Sequence, residues 1–190
     1  MGFTRKWYSA DFHFCHDAML GFCPETRPFS SADEMNQAII DSVNARVKKD
    51  DILYILGDFA FGKDAGRIKR CFHALNGRKQ LIIGNHDIDR DGMLKPAIAE
   101  LPWDAAPVHS LVTSDNGIRL FLAHYAHRAW PGQHKGAIHL YGHSHGRLPG
   151  WARSRDVGLD VSDMGFGPMT MDFIQSTVPD HVETGEEIEE

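Results

Sequence analysis

The sequence predicts a single α/β domain in which strands and helices alternate through the first half and strands dominate the second. Two apolar runs, Ile52 to Leu56 and Gln80 to Ile83, flank a segment from Ala65 to Leu75. In that segment Ile68, Phe72 and Leu75 recur at helical spacing. After Val108, two apolar segments flank Asp115-Asn116-Gly117, and an Asn-Gly pair suits a tight hairpin turn. The length of 190 residues fits one domain with its own core, and 42% hydrophobic with 24% charged residues is ordinary globular composition.

In order along the chain, Lys6 to Ala10 reads as a short strand that delivers Asp11-Phe12-His13 at its end. A loop containing Gly21, Pro24 and Pro28 follows, long enough to cover something. A helix starts at Ser31, where Ser31-Ala32-Asp33-Glu34 forms a capping box and Met35, Ile39, Val43 and Val47 share one face. The strand, helix, strand order from Ile52 to Ile83 implies a parallel pair with a right-handed crossover. The second hairpin strand runs from Ile118 to Ala123 into His124. Ile138 to Tyr141 leads into Gly142-His143-Ser144-His145, and Asp156 to Val161 is the candidate last strand. The domain is predicted over 1–178, with 179–190 an acidic, mobile C-terminal tail.

Charge and cysteine usage exclude several classes of function. A formal charge of −6 disfavours attraction to bulk nucleic acid, although a local basic patch stays open. Cys15, Cys23 and Cys71 are odd in number and lack Cys-x-x-Cys spacing, so they read as free thiols of a cytoplasmic protein. No signal-peptide pattern opens the chain, and no run of about 18 apolar residues occurs, so neither secretion by that route nor a membrane span is expected.

Asp, Asn and His recur where the apolar strands end, and in open α/β sheets ligands bind at the carboxyl ends of strands. Asp11 and His13, one residue apart, would point to one side of an extended backbone and could share a metal ion. Asp58 follows Gly57, and its two oxygens could bridge two ions about 3.5–4 Å apart. Gly84-Asn85-His86-Asp87 offers an amide oxygen and an imidazole after a strand, with glycine permitting close approach. His143 and His145 again place two imidazoles on one side of an extended segment, and His124 ends another run.

The ordered set Asp-x-His, Gly-Asp, Gly-Asn-His-Asp, His, Gly-His-x-His resembles the signature of the calcineurin-like metallophosphoesterase superfamily and spans Asp11 to His145. The surroundings, Asp11-Phe12-His13-Phe14-Cys15-His16, then Arg27-Pro28-Phe29 and later Gly57-Asp58-Phe59-Ala60-Phe61-Gly62, look like a small bacterial and phage-borne group within it. The resemblance implies a sandwich of two mixed β-sheets flanked by helices. It implies that Asp11, His13, Asp58 and His145 hold one divalent ion, that Asp58, Asn85, His124 and His143 hold a second, and that Asp58 bridges them. It further makes His86 the residue that contacts the substrate phosphate and stabilises or protonates the leaving oxygen, which makes it the choice for general acid, and the expected mechanism has a hydroxide bridging the ions attack phosphorus in line.

Mixed oxygen and nitrogen donors fit Mn²⁺, Fe or Zn²⁺ better than Ca²⁺, and Mn²⁺ is the working choice. The expected partner is a small phosphate ester, with nucleotides among the candidates, and hydrolysis of diesters is placed ahead of monoesters. A non-catalytic interaction module, as in the retromer subunit of the superfamily, is the alternative of another class. Many relatives carry an acidic or amide residue three positions after the Gly-Asp aspartate, where this chain has Phe61; Asp17 and Asp87 are candidates to orient His86 instead. His16, His127 and Arg128 are candidate substrate contacts, Arg147, Arg153 and Arg155 either bind a further phosphate or form a solvated face, and Trp130 either stacks on a base or anchors a loop.

Overall fold

A computed structural model describes residues 4–179, so the predicted acidic tail beyond Pro179 lies outside the described residues. The chain order is β1 (Lys6–Ser9), α1 (Met19–Phe22), α2 (Ala32–Asn44), β2 (Ile52–Leu56), α3 (Ala65–Ala74), β3 (Arg78–Ile82) and α4 (Pro96–Ala99). It continues with β4 (Ser110–Asp115), β5 (Ile118–Ala123), β6 (Ile138–Tyr141), β7 (Ser154–Asp156), β8 (Met169–Thr170) and α5 (Met171–Thr177). The strands form two mixed four-stranded sheets ordered β3-β2-β1-β8 and β4-β5-β6-β7. Parallel pairs dominate, with β8 antiparallel to β1 and β4 antiparallel to β5.

Alternation along the strands assigns each face. In β1 and β2, Tyr8, Tyr54 and Leu56 point into a core shared with Leu120, Leu122, Ile138 and Leu140 of the second sheet. Tyr8 and Tyr54 stack there with ring centroids 5.4 Å apart. The intervening Trp7, Leu53 and Ile55 face Met35, Ile39 and Val43 of α2 and Ile68 and Phe72 of α3. One sheet face therefore packs on a sheet and the other on helices, which is the sandwich flanked by helices that the resemblance implied.

The Ser31 hydroxyl caps α2 by accepting from the Glu34 N–H, as predicted, but the Glu34 carboxylate reaches back to Ser30 rather than Ser31. Asn116 and Gly117 both take positive φ, 48° and 77°, the geometry of the tight turn joining β4 and β5. Two expectations are corrected. The segment after His13 contains the short helix α1 rather than loop alone. The last predicted strand, Asp156 to Val161, does not form: β7 ends at Asp156, and beyond it only an isolated bridge at Gly158 pairs with Ala10 as the chain turns to bring Asp160 under the site. The elements β8 and α5 carry no sequence signal that announced them. Among the described residues no helix is long and apolar enough to cross a membrane, and all three cysteines are free thiols.

Candidate metal centre

The predicted polar residues converge where β1, β2, β3, β5 and β6 end. Asp11 follows β1, Asp58 β2, Asn85 β3, His124 β5 and His143 β6, so strand ends from both sheets meet at one rim. Backbone bonds hold the loops together: Asp11 N–H donates to the Gly57 carbonyl (3.1 Å), His13 N–H to the Asp58 carbonyl (2.9 Å) and Gly142 N–H to the His124 carbonyl (3.0 Å).

The backbone at these residues is not extended. Asp11, His13, Asp58, His143 and His145 all have φ between 49° and 66°, the left-handed region, where Asp, Asn and His are tolerated better than other side chains. This changes what the Asp-x-His and His-x-His spacings do. Asp11 and His13 do come together, with His145; His143 instead joins Asp58 and His124. In each group the ligand atoms lie within 4.8 Å of one another.

Asp58 stands between the groups. Its Oδ2 is 3.6 Å from His13 Nε2 and 3.5 Å from His124 Nε2. Asn85 Oδ1 lies 3.0 Å from His124 Nε2, so the amide faces the same space. His13 Nε2 is buried without a hydrogen-bond partner, which a bound cation would remedy. Glycine makes room for the bridge: a Cβ at Gly84 would overlap Oδ1 and the backbone nitrogen of Asp58. The donors present, carboxylates, imidazoles and an amide, fit first-row divalent ions.

The outward-facing atoms of the ligands are fixed by further contacts. His124 Nδ1 donates to the Leu56 carbonyl at 2.8 Å, directing Nε2 toward Asp58. His145 Nδ1 lies 2.6 Å from Asp160 Oδ2. Asp160 is bound in turn by the fully buried Arg27, whose Nε and Nη2 donate to its two oxygens at 2.9 and 2.8 Å. Arg27 also donates to the carbonyls of Asp11 (2.6 Å) and Phe12 (3.0 Å). Arg27 and Asp160 belong to the site, and their separation along the chain hid the pair from a motif reading.

Charge balance in the site is tense. Burial lifts the Asp11 carboxyl to about 7. Burial also opposes ionisation of Asp58, but His124 overrides it and holds Asp58 well below the carboxylate range. Burial likewise opposes protonation of His124, and the Asp58 carboxylate overcomes this, raising the imidazole to about 9. Burial pushes His13 well below its usual value.

His86 is half-buried beside this centre, and its N–H donates to Asp58 Oδ1 at 2.8 Å. Its ring lies against those of His13, His16 and Phe61, the last edge-on at 5.3 Å. The two residues considered for orienting it do neither. Asp17 is exposed, and Asp87 accepts the N–H groups of Asp58, Phe59 and Gly84 at 2.9, 2.9 and 2.8 Å. Asp87 therefore pins the Gly-Asp and Gly-Asn loops together, while Phe61 packs against the imidazole. Burial lowers the pKa of His86, and burial lowers that of its neighbour His16 to about 4.

Of the candidate substrate contacts, His16 is at the site, with Nδ1 3.3 Å from His13 Nδ1. His127 and Arg128 line no part of the cavity beside the centre. His127 sits edge-on to Phe121, and Arg128 lies over Trp151, because the chain after Tyr125 turns along the outer face of the second sheet. Trp130 is a packing anchor there, buried with Phe121 and Ala137 and donating to the Ala137 carbonyl. Arg155 pairs with Asp163 and Arg153 donates to the Gly136 carbonyl, whereas Arg147 lines the cavity. Tyr125, missed in the sequence, is exposed against His143 with centroids 4.6 Å apart.

No family model matches the chain. An uncharacterized protein of Methanocaldococcus jannaschii, MJ1445, is 36% identical over 88 residues, 46% of this chain and 49% of that one. The match with that relative spans about half its length. The Gene 66 protein of Mycobacterium phage D29 is 28% identical over 168 residues, covering 76% of this chain and 80% of that one. Among solved structures, the protein of unknown function AQ665 from Aquifex aeolicus superposes with a TM-score of 0.65 at 21% identity, covering 93% of this chain and all of that one. The two share a fold.

Proposed function

We propose that this chain is a two-metal phosphoesterase of the calcineurin-like kind, hydrolysing phosphodiester bonds of small esters. The observation that carries the reading is the position of Asp58 Oδ2, 3.6 Å from His13 Nε2 on one side and 3.5 Å from His124 Nε2 on the other. A carboxylate so placed suits a bridge between two cations. Asp11, His13, Asp58 and His145 would hold one ion; Asp58, Asn85, His124 and His143 would hold the other. Two such ions, when bound, supply an acidic water for attack and positive charge opposite the phosphoryl oxygens. Mn²⁺ is the proposed metal, with Fe or Zn²⁺ compatible with the same donors.

The remaining steps belong to the protein. His86, anchored through its backbone to Asp58, holds the proton that the leaving oxygen takes. Phe61 packs edge-on against that imidazole. Asp160 fixes the tautomer of His145, and the Leu56 carbonyl that of His124, so that the opposite nitrogens face the ions. The cavity beside the centre has one cationic lining residue, Arg147, which suits the single charge of a diester better than the double charge of a monoester.

The test compares Mn²⁺-loaded protein on bis(p-nitrophenyl) phosphate and p-nitrophenyl phosphate, with His86→Ala as the variant. The diester should turn over with the higher kcat/KM, and His86→Ala should lower kcat by about 100-fold or more while metal content stays unchanged. Higher kcat/KM on the monoester would reassign the chain as a phosphomonoesterase. Undiminished kcat in His86→Ala would remove the general acid from the account.

A further inference from the structure

On the His86 side of the centre lies a cavity of about 490 Å³, a size usual for small-molecule sites. Met19, Phe22, Phe61, His16, His86 and Arg147 line it. Its walls are largely carbon, so it offers little to a phosphate and much to the organic part of an ester. Phe22 is 61% and Phe61 39% exposed, although each could bury a large apolar area. Two exposed aromatic rings on one cavity beside a polar centre form a local apolar surface with an orientation. Phe61 lies nearly parallel on His16, with centroids 4.1 Å apart and planes 23° apart, and Phe22 stands edge-on to His16 at 6.3 Å. Arg147 Nη2 donates to the Phe22 carbonyl at 2.6 Å, tying the end of α1 to the segment after His145.

We propose that this cavity is the leaving-group subsite and that it takes a flat aromatic group esterified to the phosphate. The assignment rests on the phosphoesterase reading, because the arm that departs is the one beside the proton donor, and His86 lines this cavity. Aromatic groups are favoured over alkyl groups because ring faces and edges of Phe22 and Phe61, together with the Arg147 guanidinium, reward a second π-system. The subsite is pre-formed: His16 is clamped by His13 and Phe61, and α1 is tethered by Arg147.

The experiment is calorimetric binding of phenylphosphonate and methylphosphonate to the Mn²⁺-loaded protein, its Phe22→Ala variant and its Phe61→Ala variant. Wild type should bind the phenyl compound about tenfold more tightly than the methyl compound. Each variant should bring that ratio below about threefold, and in Phe22→Ala methylphosphonate affinity should stay unchanged. Equal affinities in wild type, or a ratio that survives both substitutions, would overturn the subsite and leave the two-metal reading standing. If neither phosphonate binds while bis(p-nitrophenyl) phosphate turns over, the subsite falls and the two-metal reading stands; if neither binds and neither ester turns over, both fall.

Discussion

Five of the seven proposed ligands, Asp11, His13, Asp58, His143 and His145, hold left-handed backbone. Each such residue costs on the order of 1–3 kcal/mol, and surrounding bonds must impose it. The Arg27–Asp160 pair is one such restraint, joining the carbonyls of Asp11 and Phe12 to the imidazole of His145. Removing its anion leaves a fully buried guanidinium unpaired, so Asp160→Ala should lose about 3–5 kcal/mol in urea unfolding. Asp160→Asn keeps the shape and should lower Mn²⁺ affinity by about 10–100-fold, measured by equilibrium dialysis. Unchanged affinity in Asp160→Asn would show that His145 needs no partner. The ligands were legible in the sequence because each ends an apolar run; the pairing of Arg27 with Asp160 was not, because they sit in loops 133 residues apart and only the fold joins them.

At the level of elements, β1 and β2 are tied at their open end by Asp51. Its carboxylate accepts from the Arg5 N–H (3.0 Å), the Trp7 indole (3.0 Å) and the Lys48 N–H (2.9 Å). Burial opposes ionisation here, and these donors outweigh it, so the pKa lies below the usual value. A depressed carboxyl stabilises the fold above its unfolded value of about 3.9, and that contribution is lost as pH falls through the folded value. Asp51→Asn should therefore lower stability at neutral pH by about 2 kcal/mol and flatten the acid limb of a stability profile below about pH 4. A variant with the wild-type acid limb would contradict this. The strands β2, β5 and β6 were legible because continuous apolar runs end in polar motifs, and α2 and α3 because their periodicity is sustained. The helix α1 has four residues and no side-chain cap, and β8 has two residues paired with Trp7 and Tyr8; both are made by tertiary contact rather than by local preference.

Across the whole molecule, the carboxylates of Asp11 and Asp58 and a ring of imidazoles are brought together from two sheets, and the buried Arg27 beside them is already paired with Asp160. Binding of divalent ions therefore acts on the fold as well as on the substrate. At 100 times the dissociation constant a single ion adds about 2.7 kcal/mol to stability. For a chain of this size that corresponds to a Tm about 5–10 °C higher with Mn²⁺ than after chelation. Equal melting temperatures would mean that the clustered ligands do not hold an ion in the folded state.

The most direct test is to strip the protein of metal, titrate Mn²⁺ back, and follow bound metal and hydrolysis of bis(p-nitrophenyl) phosphate together, with Asp58→Ala in parallel. The account predicts activity that climbs to a plateau at two ions per chain, and an Asp58→Ala variant that binds fewer ions and stays inactive. Two bound ions with no turnover of diester or monoester, or full activity with one ion, would contradict it.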